Sequence, residues 1–397
     1  MASNGFKQAP HKLLVIPGPI EFSDEVLYAN ATPGTSHVSP AFVPVFGDCL
    51  RMLKTVLYAE KGEGNQAMLI AGSGTLGWDS VGANLIERGD DALVLNTGYF
   101  GDSFADCLET YGAKVTQVKA AIGGIPSPNA RVPAHASDDQ LVEALKSKKF
   151  KVVTITHVDT STGVLSPAAH FCDLIKKHSP DTLIVLDAVC SVASEEIRFD
   201  DWGLDVVVSA TQKGLGTPPG LSVCMLSGRA VKTFETRKTP AQSYYIGWHK
   251  WLPIMRAYEA GKPMYFATPP VQLVYALHAS LSAITKSSPS LEERFAKHKA
   301  ASKFVKDSLA SLGCDFVPLS RDIAANGMTA VKYPRGLQAT DVLPKLAERD
   351  IVVAGGLHKA IASEYFRVGH MGITVVDEQR GDITKVVDGI KQVVGGH

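Results

Sequence analysis

The sequence predicts an α/β fold, in which a mostly parallel sheet is followed by a smaller α+β region. Two features support this prediction. Seven short runs rich in Val, Ile and Leu show little alternation of polar and apolar residues, as in strands with both faces covered. Helix-like stretches separate most of these runs, and strands that alternate with helices form parallel sheets.

The predicted strands of the large sheet are Ala67–Ala71, Ala92–Leu95, Lys114–Val118, Val152–Thr156, Leu183–Leu186, Val206–Ser209 and Ser222–Leu226. The predicted helices between them include Thr75–Glu87, Asp102–Tyr111, Asp138–Ser147 and Pro167–His178. After about residue 285 the pattern changes to a long amphipathic helix and short strands. This last region is predicted to contain helices Leu291–Leu312 and Thr340–Arg349 and strands Asp315–Leu319, Met328–Tyr333, Ile351–Ala354 and Tyr365–Val368.

Composition excludes several classes of partner. Lys and Arg number 40, as do Asp and Glu, so we expect no broad basic surface for nucleic acid or anionic lipid. No apolar run approaches the ~20 residues of a membrane-spanning helix. Six scattered cysteines predict reduced, mostly buried thiols and no metal site. Neither terminus matches a targeting signal well, so we expect a cytoplasmic protein, with a mitochondrial location left open.

Open parallel sheets bind ligands at the carboxyl ends of their strands, so the residues after each strand are site candidates. Lys213 follows the strand Val206–Ser209 and precedes a Gly- and Pro-rich loop, residues 214–220. A lysine amine forms Schiff bases with carbonyl compounds, pyridoxal phosphate (PLP) above all. Taken alone, such a lysine is more often ion-paired or snorkelling.

Asp187 favours the cofactor interpretation. It ends a different apolar strand, 26 residues before Lys213. A carboxylate beside the pyridine nitrogen of PLP keeps the ring protonated, so that the ring can withdraw electrons. The alternative for Asp187 is a structural loop cap, which is common. Gln212, beside the lysine, adds a polar group at the same strand end.

The segment Gly72-Ser73-Gly74-Thr75 predicts a phosphate site, because glycines allow close approach and a helix start attracts anions. Ser73 and Thr75 could add hydroxyl donors. Residues 72–77 also spell the dinucleotide fingerprint G-x-G-x-x-G, with Asp90 and Asp91 near the spacing of a ribose partner. An NAD(P)-dependent dehydrogenase is therefore the alternative from another class of enzyme, although it assigns no common function to Lys213 and Asp187.

Two further positions are candidates for ligand binding, one for a planar ring and one for a carboxylate. Phe100 or Tyr99 could stack on a planar ring, the alternative being a core aromatic. Arg367 lies among apolar neighbours late in the chain, where a guanidinium suits a substrate carboxylate. An interdomain ion pair is the alternative for Arg367.

Together these residues resemble the class V aminotransferases, which use PLP. Asp205–Lys213, followed by Gly220, resembles the lysine motif of that family. Other segments are similar to its alanine–glyoxylate branch, in the fungal form: residues 15–19 (VIPGP), 71–79 (AGSGTLGWD), 156–166 (THVDTSTGVLS), 186–191 (LDAVCS), 264–273 (MYFATPPVQL), 355–357 (GGL) and 367–372 (RVGHMG). The similarity covers nearly the whole chain.

The resemblance implies a PLP-dependent transferase of fold type I, with a seven-stranded large domain. It implies an N-terminal arm over residues 1–25, a large domain over 26–285 and a small C-terminal domain over 286–397. It also implies a homodimer whose active sites are shared between the subunits.

The resemblance assigns a role to each matching residue. Lys213 and Asp187 are the implied catalytic residues, and both also bind PLP. The other implied cofactor-binding residues are Ser73, Gly74, Thr75, Phe100, Thr160 and Gln212, together with Tyr265 and Thr268, which would reach the phosphate of the neighbouring subunit. The implied substrate-binding residues are Gly18, Thr160 and Arg367. Phe100 stands where many relatives have Trp.

The activity implied is transfer of the amino group of L-alanine to glyoxylate, which gives pyruvate and glycine. Serine as donor, with pyruvate or glyoxylate as acceptor, is the alternative within the family. Small amino acids and 2-oxo acids are therefore the expected ligands.

Overall fold

The structure, a computed structural model, describes residues 5–126 and 139–395. In chain order its strands are β1 (Leu13–Leu14), β2 (Gln66–Ala71), β3 (Asp91–Asn96), β4 (Lys114–Lys119), β5 (Val152–Thr156), β6 (Val158–Asp159), β7 (Val164–Leu165), β8 (Leu183–Asp187), β9 (Val206–Ala210), β10 (Leu221–Leu226), β11 (Met328–Lys332), β12 (Ile351–Val352), β13 (Ala354–Gly355) and β14 (Tyr365–Gly369).

The α-helices are α1 (Asp24–Asn30), α2 (Phe42–Val56), α3 (Thr75–Leu85), α4 (Tyr99–Thr110), α5 (Asp139–Ser147), α6 (Ala168–His178), α7 (Phe199–Trp202), α8 (Gly228–Glu235), α9 (Trp248–Glu259), α10 (Val271–Lys286), α11 (Leu291–Ala310), α12 (Ala339–Ala347), α13 (Ile373–Val376) and α14 (Asp382–Val394). Short 3₁₀ helices lie at Arg321–Ile323 and Glu378–Arg380. Asp138, the predicted first residue of the helix found as α5, lies outside the described residues.

The large sheet has seven strands in the order β2-β10-β9-β8-β5-β3-β4. Strands β9, β8, β5, β3 and β4 run parallel to one another, and β10 is antiparallel to both β9 and β2. The prediction of a mostly parallel α/β sheet is confirmed, and each of the seven predicted strands is found. Because β10 reverses direction between them, β2 points the same way as β9. The carboxyl ends of β2, β8 and β9 therefore meet at one edge.

The apolar character of the strands reflects cover on both faces of this sheet. Strands β5, β8, β9 and β10 are buried at every residue. Helices α2, α9 and α10 pack together beside β2, while α3 packs on β9 and β10. Two-sided cover is the reason that these strands show little polar alternation.

The C-terminal region has its own small core. Strands β11, β14 and β13 form a three-stranded antiparallel sheet with β14 in the centre. Helix α11 begins with a capping box in which Ser290 and Glu293 bond each other's backbone N–H groups. Strand β1 pairs in parallel with β12, so the N-terminal segment joins this region. The pairing of β1 with β12 does not test the predicted domain boundaries, which stay a prediction.

One predicted strand is wrong. The segment Asp315–Leu319 forms only an isolated bridge, between Phe316 and Val331. Pro318 has no N–H to donate to a ladder, and the N–H of Leu319 donates to the carbonyl of Gly123 instead. The predicted strand Ile351–Ala354 is also divided, because its halves pair with different partners, β1 and β14.

The structure bears on three expectations from composition, which concern membrane-spanning helices, cysteines and metal sites. In the described part of the chain, no helix is long and apolar enough to cross a membrane. The six cysteines are unbridged and five of them are buried, as predicted. Within residues 5–126 and 139–395, no group of His, Cys, Asp or Glu side chains is placed to hold a metal ion.

Close packing between α3 and β9 generates the first prediction. A Cβ on Gly77 would lie 2.8 Å from Cβ of Val208 in the middle of the sheet. Alanine favours a helix over glycine by up to about 1 kcal/mol, but overpacking of this kind costs about 1–3 kcal/mol. We expect Gly77→Ala to lower the free energy of unfolding by about 1–2 kcal/mol in urea titrations followed by circular dichroism.

Gly34→Ala is the matched control, because nothing lies within 4 Å of a Cβ placed there. Unfolding curves of Gly77→Ala that match those of the wild type would contradict the packing described for α3.

Candidate active site

Lys213 lies in the turn between β9 and β10, three residues past the end of β9. Its main-chain carbonyl accepts from the N–H of Gly216, at 2.7 Å. Its side chain runs inward, and Nζ donates to the carbonyl of Pro17 in the N-terminal segment. Burial lowers the pKa of Lys213, as does the Arg367 charge, while Cys190 and Asp187 raise it. The amine is thereby closer to its neutral, nucleophilic form than an exposed lysine is.

Asp187 ends β8, the strand next to β9, and only 4% of it is exposed. Trp78 Nε1 donates to Asp187 Oδ2 at 2.9 Å, and the Val189 N–H donates to Oδ1 at 3.0 Å. Burial raises the pKa of Asp187 to about 6, against the lowering effect of these two hydrogen bonds and of Lys213. The carboxylate is thus oriented by two donors and is predominantly ionised at neutral pH.

The predicted anion site lies at the start of α3. Ser73, Gly74 and Thr75 line a cavity of about 170 Å³ that also contains Asp187 and Lys213. A Cβ on Gly74 would lie 2.7 Å from Val189 Cγ2, so only glycine fits between the helix start and that loop. Free N–H groups at a helix start attract an anion. These residues fit a phosphate group.

Gln212 independently supports a ligand-binding role for this cavity. It lines the same cavity, and its Oε1 is buried without a hydrogen-bond partner among the residues that the structure describes. A buried polar atom without a partner is rare in folded proteins. The site therefore combines an unsatisfied amide, an anion-binding helix start, a lysine and a carboxylate, and this donor set fits PLP.

Of the two aromatic candidates, Phe100 lines the cavity and Tyr99 does not. Phe100 lies in the first turn of α4, with its ring edge-on to Trp78 at 6.3 Å between centroids. Tyr99 instead donates its backbone N–H to Ser161 Oγ, at 3.0 Å. Phe100 is thus the one of the pair in position to stack on a ring held in the cavity.

Arg367 lies in the centre of the small sheet, on β14, and is partly buried. Its Nε donates to the carbonyl of Gly355 at 2.8 Å and its Nη1 to the carbonyl of Thr160 at 3.2 Å. Burial lowers the pKa of Arg367, while Tyr365, Cys190 and Asp159 raise it. In the described part of the chain it forms no ion pair, which disfavours an interdomain salt bridge. Thr160, its partner, lines the cavity.

Comparison with known proteins gives a consistent picture. The family model described as "Aminotransferase class-V" matches residues 69–374. The chain belongs to the class V aminotransferase family. It is 38% identical to alanine–glyoxylate aminotransferase 1 of Saccharomyces cerevisiae, over 95% of this chain and 96% of that one.

Two more distant relatives extend the match. An L-aspartate–glyoxylate aminotransferase of Paracoccus denitrificans is 29% identical over 90% of this chain and 86% of its own length. The crystal structure of an alanine–glyoxylate aminotransferase from Nostoc sp. superposes with a TM-score of 0.85 at 27% identity, covering 98% of this chain and 96% of that chain. The predicted fold type I and the resemblance to this family are confirmed.

The alternative function, an NAD(P)-dependent dehydrogenase, does not agree with the position of the predicted ribose-binding carboxylate. Asp91 is the first residue of β3, at the amino end of its strand, and it is ion-paired with Lys148. A ribose-binding carboxylate belongs at the carboxyl end of the sheet. The glycine-rich segment after β2 therefore lies beside Lys213 without a ribose partner at Asp91.

Tyr265 and Thr268 are not part of the cavity. Tyr265 is 62% exposed and lies against His37, with ring centroids 5.1 Å apart. Thr268 is also exposed. Within a single chain these residues are not brought to the aminotransferase site, so their role in a neighbouring subunit stays a prediction.

Sequence reasoning missed Trp78, Val158, Val189 and Cys190, which also line the cavity. A signal for Trp78 was available, because it follows Gly74 by four residues and so shares its helix face. Sequence reasoning also gave no role to the buried carboxyl group of Asp159. It is fully buried, and in the described ranges its Oδ2 has no hydrogen-bond partner, while the Ser161 N–H donates to its Oδ1 at 2.9 Å.

Contact between Gly18 and the lysine generates the second prediction. A Cβ on Gly18 would lie 2.2 Å from Lys213 Cδ, and its φ of +120° disfavours any other residue. Backbone strain of this kind costs about 1–3 kcal/mol. The added methyl group should push the Lys213 side chain out of position. If that displacement raises the activation free energy by the same amount, Gly18→Ala should slow amino transfer by about 5- to 150-fold at saturating substrates.

Gly5→Ala is its control, because Gly5 lies in the same segment with φ of +80°, and no atom of the described residues lies within 4 Å of a Cβ placed there. Equal rates for the Gly18→Ala and Gly5→Ala variants would show that Gly18 does not maintain the position of Lys213.

Proposed function

We propose that this class V aminotransferase binds PLP and transfers the amino group of L-alanine to glyoxylate, yielding pyruvate and glycine. The observation that supports this most directly is the convergence of Lys213 and Asp187 on one cavity, from two neighbouring strand ends. The likeness to the yeast relative named for alanine and glyoxylate supports the choice of substrates.

Different residues would contact the phosphate, the ring and the aldehyde carbon of the cofactor. Ser73, Gly74 and Thr75 would bind its phosphate at the start of α3, with Gln212 as a further polar contact. Asp187 would accept a hydrogen bond from the pyridine nitrogen, and Phe100 would cover one face of the ring. Lys213 Nζ is the amine that would attach it. When bound, PLP supplies an electron-withdrawing ring that acidifies the α-hydrogen of an amino acid.

Lys213 would also move the proton. Because burial lowers the pKa of Lys213, Nζ is a stronger candidate for a base near neutral pH than an exposed lysine. It would accept the proton from the substrate α-carbon and later return it as the acid. Its contact with the carbonyl of Pro17 orients Nζ from the side of the N-terminal segment.

Arg367 would bind the carboxylate that alanine, glyoxylate, pyruvate and glycine share. A guanidinium that already donates to two carbonyls is held in one orientation, and its remaining N–H groups can meet a carboxylate. Thr160 and Gly18 would complete this part of the site. Lys213 is the one cation among the described residues that line the cavity, and Asp187 is the one anion. A donor with an uncharged side chain is therefore favoured, because a second substrate carboxylate would be buried without a partner.

A homodimer with shared sites is part of the proposal. The aromatic side chains Tyr244 and Tyr265 are 76% and 62% exposed, and Met264 is 46% exposed. The Tyr244 ring lies 5.6 Å from the ring of Phe266, the residue after Tyr265, so these exposed groups are near each other. Exposed apolar groups near each other indicate an interaction surface. Tyr265 and Thr268 would then reach the phosphate of the partner's cofactor. The cytoplasmic location predicted from the sequence also stays a proposal, supported by the six unbridged thiols.

The experiment that tests this function measures pyruvate and glycine from L-alanine and glyoxylate, with purified protein and added PLP. Equimolar products are expected, and none from Lys213→Ala. Lys61→Ala is the control, because the Lys61 side chain is 78% exposed and its ion pair, within residues 5–126 and 139–395, is with Asp201. L-serine, L-aspartate and the acceptor pyruvate are measured alongside. Higher kcat/KM with L-serine or L-aspartate would contradict the assignment of alanine.

Arg367 generates a separate prediction about substrate affinity. Truncation of one partner in a desolvated charged pair costs about 2–5 kcal/mol. Arg367→Ala should therefore lower kcat/KM for both alanine and glyoxylate by about 30- to several-thousand-fold. Arg367→Lys should recover part of this loss, because lysine has the charge without the planar fork.

PLP affinity should be unchanged in Arg367→Ala, since the phosphate site is elsewhere. Arg349→Ala is the control, because Arg349 lies in the same region and, among the described residues, its side chain donates to Gln392 and to the Lys345 carbonyl, away from the cavity. Near-normal kcat/KM in Arg367→Ala would mean that the substrate carboxylate binds elsewhere.

A further inference from the structure

Trp78 is the side chain that contacts the Asp187 carboxylate, and sequence reasoning gave it no role. Its Nε1 donates to Asp187 Oδ2 at 2.9 Å, and both residues line the cavity. Trp78 is 6% exposed and Asp187 is 4% exposed, so water has little access to this bond. We propose that Trp78 is a positioning residue that keeps Asp187 ionised and aimed at the cofactor nitrogen, an inference that rests on the proposed function.

The indole can fill this role because its ring is fixed on two sides. It is stacked on Phe104, with centroids 5.4 Å apart and an interplanar angle of 16°. It meets the edge of Phe100 at 6.3 Å and 66°. Phe104 is itself 1% exposed, on α4. A ring held between α3 and α4 cannot turn its N–H away from the carboxylate without repacking the core.

The electrostatics of Asp187 give this bond its importance. Burial raises the pKa of Asp187, and the nearby Asp159 carboxyl raises it further. Three groups act in the other direction: the Val189 N–H, the Trp78 N–H and the Lys213 ammonium. Once Lys213 is attached to the cofactor, its ammonium no longer helps in the same way. The protonated pyridine nitrogen would then add its own stabilisation of the ionised carboxylate, beside the Trp78 and Val189 N–H donors that the fold keeps in place.

The direction of the effect follows from the sign of the shift. A donor to the ionised form lowers the pKa of a carboxyl group, so its removal raises that pKa. Asp187 is ionised above its pKa. Loss of the Trp78 N–H should therefore leave Asp187 partly protonated at a pH where the wild type is ionised, and the acidic limb of activity should move to higher pH.

The first test uses the protein without cofactor and does not depend on any activity. The emission of Trp78, taken as wild type minus Trp78→Phe, should titrate with a midpoint near the Asp187 pKa of about 6. Asp187→Asn keeps Trp78 and should abolish this titration. A difference signal that is flat from about pH 4.5 to 8, or one that survives in Asp187→Asn, would overturn the proposal.

Trp248→Phe is the matched control. Trp248 is fully buried and its Nε1 donates to Ser80 Oγ at 2.8 Å, a neutral acceptor. Its loss removes a buried indole and one hydrogen bond without touching Asp187. The titration should therefore persist in Trp248→Phe.

The second test uses the enzyme with PLP and alanine. Trp78→Phe should raise the midpoint of the acidic limb of kcat/KM by about one pH unit, an effect of the size expected for a hydrogen bond to a charged group. Activity should approach that of the wild type at higher pH, and Trp248→Phe should keep the wild-type midpoint. A loss that is equal at every pH would show a structural role and overturn the proposal. Failure of the proposed function would appear differently, as absent amino transfer in the wild type together with an intact titration in the cofactor-free protein.

Discussion

Lys213 and Asp187 are withdrawn from water at two neighbouring strand ends, yet in the described part of the chain they form no direct ion pair. Each is held by other groups: the lysine by the carbonyl of Pro17, the carboxylate by Trp78 and the Val189 N–H. Buried charges that are not paired with each other are costly, because burial favours the neutral forms. A ligand placed between them that interacts with both would offset part of that cost. The parallel sheet creates this arrangement by bringing the ends of β8 and β9 side by side.

The N-terminal segment connects the two halves of the site. Pro17 accepts from Lys213, and two residues earlier Val15 accepts from the N–H of Gly369, at the end of β14. A Cβ on Gly369 would lie 2.2 Å from the carbonyl of Ile16, so this approach requires glycine. The same strand contains Arg367. The lysine and the arginine are therefore positioned by one short run of chain, as the proposed binding of one small substrate by both residues requires.

Much of this arrangement could be predicted from the sequence. Lys213 and Asp187 follow apolar runs whose composition marks them as buried parallel strands, and the ends of such strands lie at one edge. The glycines around Ser73 indicated the helix start found at α3, and the binding of an anion there stays a proposal. These inferences need only local sequence and the rule for parallel sheets.

The remainder depends on tertiary contacts that local sequence does not specify. Trp78 shares a helix face with Gly74, but its bond to Asp187 requires the relative placement of α3 and β8. The segment around Pro318 is apolar enough for a strand, yet it pairs with β11 only through the Phe316–Val331 bridge, and the N–H of Leu319 donates to Gly123 instead. Tyr265 and Thr268 lie outside the cavity of their own chain, so their part in the site depends on a second subunit and stays a proposal.

The central claim is that Lys213 is the amine that attaches PLP. The most direct measurement is reduction of the PLP-loaded protein with borohydride, followed by protease digestion and mass spectrometry of the labelled peptide. The account predicts one predominant label, on the peptide that contains Lys213, and no such label in Lys213→Ala. A predominant label on a different lysine, or an unchanged label in Lys213→Ala, would contradict it.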